Sequence, residues 1–386
     1  MTNPHLTHLD LFQQAFAAKP THFSQAPGRL EILGNHTDYN QGFVLSLAVD
    51  RHTQISLRKT QGSLCQLLSP QIETNIREFD LHSINSPLPN KDWLNYPRGI
   101  AHILQQNQHA LTGFQALITS DIPLSAGMSS SAALEMALVS GLDALFELNL
   151  SNKAEIGQAC ENHYIGANTG LMDQLTSLNG KKDHLLLSEY RHLHLSHLPF
   201  PQQLAIVVVN THVAHDLSQE YNQRRAECES ALATLSQKHP DLHSLRDVDL
   251  PLLHQSRTSL SQEEYKRALH VVSENSRVHQ AQSYLKTHDF TRFGHLLFES
   301  HQSSIQNFEN SCPELNLLVD IANKSPRCLG ARLSGGGFGG ISIHLTRAAD
   351  AAAYAKHVTH IYSQKSGKEA TAFVCHSADG ATVHPH

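Results

Sequence analysis

Residues 123–133 of the chain read Pro123-Leu-Ser-Ala-Gly127-Met-Ser-Ser-Ser131-Ala-Ala, a run of small residues. Apolar residues downstream recur on one helical face and predict a long helix from Ser131 onward: Leu134, Leu138, Leu142 and Leu145. Small residues at a helix entry let backbone N–H groups converge at its positive end, where phosphate binds. Serines there can also serve simply as N-caps. A strand signal upstream, together with Pro123 and Gly127, favours phosphate binding.

A second glycine-rich segment lies at Gly335-Gly-Gly-Phe-Gly-Gly340 and matches the pattern G-x-G-x-x-G. In dinucleotide-binding proteins that pattern opens a helix, whereas here residues 341–345 alternate as a strand. We therefore predict a loop between strands that either approaches a ligand closely or simply turns. The Walker-A pattern is absent from the sequence, which excludes a P-loop NTPase.

A third segment, residues 26–42, combines glycines, one cation and short polar side chains. We interpret it as a loop. Asp, Asn and His side chains supply directional donors and acceptors for a polyhydroxylated ligand. By composition alone it could equally be a polar turn.

The remaining chain mixes helices and strands. Helices are predicted at 6–18, 93–104, 131–145, 153–165, 221–235, 263–285, 290–308 and 312–324. Strands are predicted at 43–49, 53–57, 116–119, 185–187, 204–209, around Leu333, at 341–345 and at 371–375. Because regular βαβ alternation is missing, we expect an α+β protein. The 386 residues leave room for two domains, which we divide at a Pro- and His-containing stretch into residues 1–198 and 199–386.

Composition narrows the function classes. A net charge of -6 without a basic run argues against a nucleic-acid partner. Six scattered cysteines suit free thiols in a reducing compartment. No basic residue precedes Lys19 and the longest apolar run is residues 204–209, so neither a signal peptide nor a membrane span is expected. We expect a cytoplasmic monomer that binds small molecules.

Taken together, the three segments resemble the GHMP kinase superfamily and, within it, the galactokinases. The resemblance covers nearly the whole chain. It rests on Gly28-Arg29 with Gly34-Asn-His-Thr-Asp-Tyr-Asn40, on Gly127-Met-Ser-Ser-Ser-Ala-Ala-Leu-Glu135, and on Ser334-Gly-Gly-Gly-Phe-Gly-Gly340. Further matches are Trp93-Leu-Asn-Tyr96, Gly170-Leu-Met-Asp-Gln174, Glu220-Tyr-Asn-Gln-Arg-Arg225, Ser273-Glu-Asn-Ser-Arg277 and Ser311-Cys-Pro-Glu-Leu315.

The resemblance implies a two-domain fold with ATP and sugar in the cleft between domains, and phosphorylation of the anomeric hydroxyl of galactose. By position, Asp173 would be the catalytic carboxylate, Arg29 its partner, and Ser131 and Glu161 the ligands of Mg²⁺. The implied sugar contacts are Asn35, His36, Asp38, Gly170 and Tyr221. The implied ATP contacts are Gly127, Ser129, Ser130, Ser131, Trp93, Gly336 and Gly337.

These residue types suit phosphoryl transfer, which depends on positioning an acceptor hydroxyl and on spreading charge over three phosphoryl oxygens. A carboxylate such as Asp173 can accept the proton of the hydroxyl, while the guanidinium of Arg29 offsets phosphate charge. Magnesium takes few protein oxygens besides phosphate and water, so one hydroxyl and one carboxylate form a reasonable set.

One departure concerns substrate identity. Galactokinases usually carry Glu between the glycine and histidine of the first signature, where this chain has Asn35. Because an amide removes a negative charge, galacturonate or a related sugar is an alternative substrate. A second alternative is a catalytically silent sugar sensor, against which the intact Ser129–Ala133 segment argues. Residues 37–39 and 221–225 favour a galactose-type sugar over mevalonate.

Overall fold

A computed structural model of the protein describes residues 7–123, 127–213 and 218–386. The strands are β1 His22–Leu33, β2 Phe43–Lys59, β3 Leu64–Leu68, β4 Arg77–Asp80, β5 Phe114–Ser120, β6 His184–Glu189, β7 His194–Pro199, β8 Leu204–Asn210, β9 Cys328–Leu333, β10 Ile341–Arg347, β11 Thr371–Cys375 and β12 Thr382–Pro385. The longer helices are α1 His8–Phe16, α2 Asn95–Gln106, α3 Ser130–Phe146, α4 Lys153–Ala159, α5 Met172–Asn179, α6 Ser218–Ser236, α7 Leu250–Gln255, α8 Gln262–Lys286, α9 Phe290–Ser303, α10 Pro313–Asn323 and α11 Ala351–Ser366. Helices α4 and α9 continue into π-helical turns at Cys160–Ile165 and Ser304–Phe308.

Within the described residues, the strands form two sheets. The first has the order β12-β1-β2-β5-β3-β4, with β6 and β7 extending from one part of β2. Its pairs are antiparallel except for β3 with β5. The second sheet has the order β11-β8-β10-β9 and is antiparallel throughout. The α+β architecture that the sequence predicts is therefore confirmed.

Helix α3 packs across β1 and β2 and carries a glycine where it comes closest to the sheet. A Cβ at Gly141 would lie 2.2 Å from Leu57 Cδ1 and 2.7 Å from Ser24 Oγ. The segment just before α3 lies beside the second half of β1, where the Arg29 backbone N–H donates to Met128 O.

One apolar core joins the two sheets. Leu30 and Leu47 of the first sheet pack in the same buried cluster as Val208 and Ile343 of the second, together with Phe293 of α9. The last strand, β12, pairs with β1 and so returns the chain to the first sheet. The division into residues 1–198 and 199–386 stays a prediction. In the described residues, no helix is both long and apolar enough to cross a bilayer.

Most predicted helices and strands are present within a few residues of their expected bounds. The predictions at Leu6 and in residues 124–126 lie outside the described residues. The interpretation of residues 26–42 as one loop is wrong in its first half, because β1 continues to Leu33. Residues 28–33 are buried, since the strand is covered on both faces, so their sequence lacks the alternation of a half-exposed strand.

Candidate active site

The site is a cavity of about 360 Å³ between the first sheet and the glycine-rich loop that joins β9 to β10. Its walls come from the end of β1, the loop after it, the first turns of α3 and α5, and the glycine-rich loop. It is lined by most of the residues that the sequence predicts: Arg29, Asn35, His36, Asp38, Gly127, Ser129, Ser130, Ser131, Gly170, Asp173, Tyr221 and Gly336. The two ends of this cavity differ in chemistry.

The Asp173 carboxylate lines the cavity and accepts hydrogen bonds from three donor atoms of two residues. Arg29 Nε and Nη2 each donate to one carboxylate oxygen at 2.7 Å, which is the bidentate geometry of strong ion pairs. Ser129 Oγ donates to the same carboxylate. Arg29 Nη1 is held by the Gly127 carbonyl at 2.6 Å. The carboxylate is therefore fixed in orientation, yet 28% of the Asp173 side chain stays exposed to the cavity.

Asp38 and Gly170 meet on one wall. A Cβ at Gly170 would lie 1.5 Å from Asp38 Oδ2, so any larger residue would displace this carboxylate. Burial raises the pKa of Asp38 from 3.8 to about 7. Asp38 therefore titrates near neutral pH.

His36 lies among aromatic rings. Its ring stacks on Phe308 at 4.3 Å between centroids and packs against Tyr221 at 5.1 Å. His36 Nδ1 is 2.9 Å from Tyr39 Oη. Burial lowers the pKa of His36 to about 3, so the imidazole is neutral at physiological pH and can both donate and accept a hydrogen bond.

Asn35 is buried in a polar cluster that sequence reasoning did not anticipate. Asn35 Nδ2 donates to Glu31 Oε1 at 2.9 Å and to the Gly335 carbonyl at 3.0 Å, while Asn310 Nδ2 donates to Asn35 Oδ1 at 3.0 Å. The guanidinium of Arg332 donates to Glu31 Oε1 at 3.0 Å. Burial raises the pKa of Glu31, and Arg332 opposes that rise.

Helix α8 holds the backbone of the loop that follows β1 through hydrogen bonds. Glu274 Oε2 accepts the N–H groups of Gly34 and Asn35, both at 2.9 Å, and Glu274 Oε1 accepts from Arg277 Nε at 2.6 Å. Burial alone would raise the pKa of Glu274, but the adjacent Arg277 and Arg332 lower it below its ordinary value. The Glu274 carboxylate is therefore charged at neutral pH.

The other end of the cavity is formed by the start of α3. Its first N–H groups lack partners within the helix, and the helix dipole favours an anion there. A second cavity, also of about 360 Å³, shares Ser130 and Ser131 with the first and is lined by Trp93, Ile72 and Ile122. Trp93 Nε1 donates to Glu73 at 2.7 Å, which fixes its ring. An apolar and aromatic cavity beside an anion site has the chemistry that a nucleotide base and its phosphates require.

Of the two predicted Mg²⁺ ligands, Ser131 lines both cavities and Glu161 lies outside them. Glu161 is buried in the first π-helical turn, where Thr169 Oγ1 donates to Oε2 at 2.6 Å and Gln174 Nε2 donates at 3.2 Å. Burial raises the pKa of Glu161, and a hydrogen bond from Ser131 opposes the rise. A hydroxyl and a carboxylate in contact beside a phosphate site fit the oxygen donors that Mg²⁺ prefers.

Two of the predicted site residues are set back from both cavities in the part of the chain that the structure describes. They are Glu161, which Thr169 separates from the cavity, and Gly337, whose backbone packs against the Asn310 carbonyl. Sequence reasoning missed Asn310 and Arg332, which no motif marks. It also missed Glu31, although a lone acidic residue in an apolar strand was a usable signal.

Three family models match the chain. They are the galactokinase galactose-binding signature at residues 10–59, the GHMP kinases N terminal domain at 95–181, and the GHMP kinases C terminal region at 281–362. The mevalonate kinase of Methanococcus jannaschii shares the fold, with a TM-score of 0.66 and 18% sequence identity over 92% of this chain and 98% of that one. Fold and site therefore define a GHMP kinase.

Nearer relatives narrow the class. The galactokinase of Roseiflexus sp. (strain RS-1) is 37% identical over 96% of this chain and 94% of its own length, and that of Pasteurella multocida (strain Pm70) is 38% identical over 97% of each. The crystal structure of Lactococcus lactis galactokinase complexed with galactose has a TM-score of 0.92 and 32% identity, covering 97% of this chain and 98% of that one. The chain belongs to the galactokinase family and is a sugar kinase.

Proposed function

We propose that the protein transfers the γ-phosphoryl group of ATP to the anomeric hydroxyl of galactose, giving galactose 1-phosphate and ADP. The observation that carries the proposal is the position of Asp173. Its carboxylate is held by Arg29 and Ser129 in the polar cavity, next to the start of α3. A hydroxyl bound in that cavity would meet a proton acceptor and a phosphate site together.

In this mechanism the polar wall formed by His36, Asp38 and Tyr221 binds and orients the sugar. Asp173 accepts the proton of the attacking hydroxyl as the hydroxyl oxygen bonds to the γ-phosphorus, and the bond from that phosphorus to the bridging oxygen breaks to release ADP. Arg29 keeps the carboxylate in place and offsets negative charge on the transferred group, and the first N–H groups of α3 hold the phosphates. Mg²⁺ held by Ser131 and Glu161 would offset charge on the phosphate oxygens.

The nucleotide base occupies the second cavity in this proposal. Trp93 stands there with Ile72 and Ile122 as its apolar neighbours, and the shared Ser130 and Ser131 connect base and phosphate sites. The ring of Trp93 gives a direct readout, because it is the one tryptophan of the sequence. ATP binding should change the fluorescence of Trp93. In a Trp93→Phe variant, the addition of ATP should leave the fluorescence signal unchanged.

Galacturonate is a poorer candidate than galactose. The charge that Asn35 removes is present nearby, because the Glu31 carboxylate contacts the Asn35 amide and lines the same cavity. A carboxylate on the sugar would face this second carboxylate.

A catalytically silent sugar sensor is also not favoured, since Asp173, Arg29 and Ser129 together supply the groups that phosphoryl transfer requires.

The proposal is tested by measuring ADP release with a panel of hexoses and uronates, in the wild type and in Asp173→Asn. The amide removes the proton acceptor but keeps the shape, so turnover of galactose should fall about 10²- to 10⁴-fold. Calorimetry should still detect galactose binding. Asp320→Asn alters an exposed carboxylate on α10 and serves as the matched control. Normal turnover in Asp173→Asn would refute the assigned role.

We also place the protein in the cytoplasm, as a monomer with small molecules as its partners. The six cysteines form no disulfide and five of them are buried, which suits a reducing compartment. Sedimentation velocity at micromolar concentration should give the mass of one chain.

Activity should disappear when EDTA removes Mg²⁺ and return when the ion is added back.

A further inference from the structure

The sugar end of the cavity contains a carboxylate to which no role has been assigned. Glu31, on β1, lines the cavity beside Asn35, and 4% of its side chain is exposed. Galactokinases usually carry the acidic residue at position 35, whereas this chain has the amide there. The carboxylate and the amide touch, at 2.9 Å between Asn35 Nδ2 and Glu31 Oε1. The acidic group is therefore still present in the cavity, four residues earlier in the chain.

Counting hydrogen bonds shows which of the two groups is available to a ligand. Both hydrogens of Asn35 Nδ2 are used, one by Glu31 and one by the Gly335 carbonyl, and Asn35 Oδ1 already accepts from Asn310. Glu31 Oε1 accepts from Asn35 and from Arg332. Within the described residues, Glu31 Oε2 accepts no hydrogen bond. Of these two residues, Glu31 is thus the one with a carboxylate oxygen that accepts no hydrogen bond from the described residues.

The charges around Glu31 prepare it to accept a hydrogen bond. The Arg332 guanidinium is fully buried against Glu31 and favours the ionised form of this carboxylate, opposing the burial that raises its pKa. Oε2 belongs to a residue that lines the cavity and has no donor among the described residues, so it can accept a hydrogen bond from a ligand there. A sugar hydroxyl entering the cavity would supply that donor.

We propose that Glu31 is a specificity-determining residue of the sugar site. Its Oε2 accepts a hydrogen bond from a hydroxyl of the bound sugar and so takes over the part of the glutamate that other galactokinases carry at position 35. Asn35 orients the carboxylate through Oε1. This inference rests on the proposed galactokinase function.

The first test compares Glu31→Gln, Asn35→Glu and the exchanged double variant Glu31→Asn/Asn35→Glu. Glu31→Gln loses a charged acceptor and should raise the KM for galactose about 10- to 100-fold, with little change in kcat. Asn35→Glu places two carboxylates in contact and should be at least as impaired. The exchanged variant restores one acid and one amide, so its KM should return to within about tenfold of the wild type.

A purely structural role for Glu31 would give a different pattern. The Glu31→Gln variant is therefore assayed also with galactose analogues that lack one hydroxyl each. If Glu31 binds one hydroxyl, the substitution should have no further effect on the analogue that lacks it. An equal loss on galactose and on every analogue would overturn the proposal, as would an exchanged variant worse than both single variants.

These outcomes separate the two proposals. A wild-type protein that releases no ADP with galactose would contradict the proposed function itself. A wild type that phosphorylates galactose, combined with an unchanged KM in Glu31→Gln, would leave the function intact and reject the role of Glu31. If Glu31→Gln does not fold, the exchanged variant still decides, because it keeps one carboxylate and one amide beside Arg332. Glu299→Gln, on the exposed face of α9, is the control for removing a surface charge.

Discussion

Asp38 is a residue whose function works against stability. Its pKa of about 7 in the folded protein exceeds the ordinary 3.8, so the folded state binds the proton more tightly than the unfolded state. Well below pH 3.8 the carboxyl is protonated in both states and does not affect stability. As the pH rises toward 7, the unfolded state ionises first, and the folded state loses stability relative to it.

Asp38→Asn should therefore stabilise the protein while weakening sugar binding. The gain in the free energy of unfolding should be small at pH 4, where the unfolded state is only partly ionised, grow as the pH rises, and level off above pH 7. Because Asp38 keeps partial contact with the cavity, we expect a plateau of about 2 kcal/mol rather than the full value of the shift. Thermal melts from pH 4 to pH 8 measure it, with Asp320→Asn as the exposed control. A variant less stable than the wild type at pH 8 would contradict this account.

Among single residues, the resemblance to galactokinases predicted most of those that line the cavity, since they belong to the motifs that carry it. It could not predict Glu31 in its role, because Glu31 contacts Arg332, and the two are about 300 residues apart in the chain. The galacturonate alternative is not favoured for the same reason. It counted the charge at position 35 and not the charge that the fold places beside it.

Helix α3 is the element whose packing sets the phosphate end of the site. Gly141→Ala would gain about 1 kcal/mol of helix propensity. The added methyl group would, however, overlap Leu57 and Ser24, both buried, and overpacking typically costs about 1–3 kcal/mol. We expect a net loss of about 1 kcal/mol in urea unfolding.

The neighbouring residue provides the control for this substitution. Ser140 Oγ is buried and has no hydrogen-bond partner among the described residues. Ser140→Ala should therefore be neutral or stabilising, since it removes an unpaired hydroxyl and improves helix propensity. If both variants lose stability equally, the close approach of α3 to the sheet is not the cause.

Helix α8 holds the backbone of the loop that follows β1 through Glu274. Glu274→Gln leaves the Arg277 guanidinium without its charge partner and should cost about 3–5 kcal/mol of stability. Because the pKa of Glu274 is lowered, its contribution is present at neutral pH and is lost as the pH falls below about 4.5. Urea unfolding at pH 7 and pH 4 should show a difference between variant and wild type that shrinks in acid. A constant difference would argue against the charge.

Among the elements, long amphipathic helices and short apolar strands were predictable from periodicity, as α8 and β10 show. The first half of residues 26–42 was not, because a strand covered on both faces carries no alternation. Helix α11, with its many alanines and polar residues, gave too weak a pattern to be predicted.

For the whole molecule, the core that both sheets share predicts one cooperative unfolding transition. Leu47 and Val208 belong to the same buried cluster although they come from different sheets, so unfolding either sheet exposes apolar surface of the other. Urea unfolding followed by Trp93 fluorescence and by circular dichroism at 222 nm should give coincident curves. Two separated midpoints would show that the sheets unfold independently. This core could not be predicted from sequence, since nothing local tells which apolar faces meet.

The pairing of β12 with β1 also bears on how the protein is made. Residues 382–385 are synthesised after the whole second sheet, yet they cover a border of the first one. On the ribosome, one edge of residues 22–25 of β1 therefore stays unpaired until β12 emerges, while the other edge can pair with β2. The nascent chain is thus most exposed to aggregation late in translation, and a chaperone that shields an unpaired strand would help most at that stage.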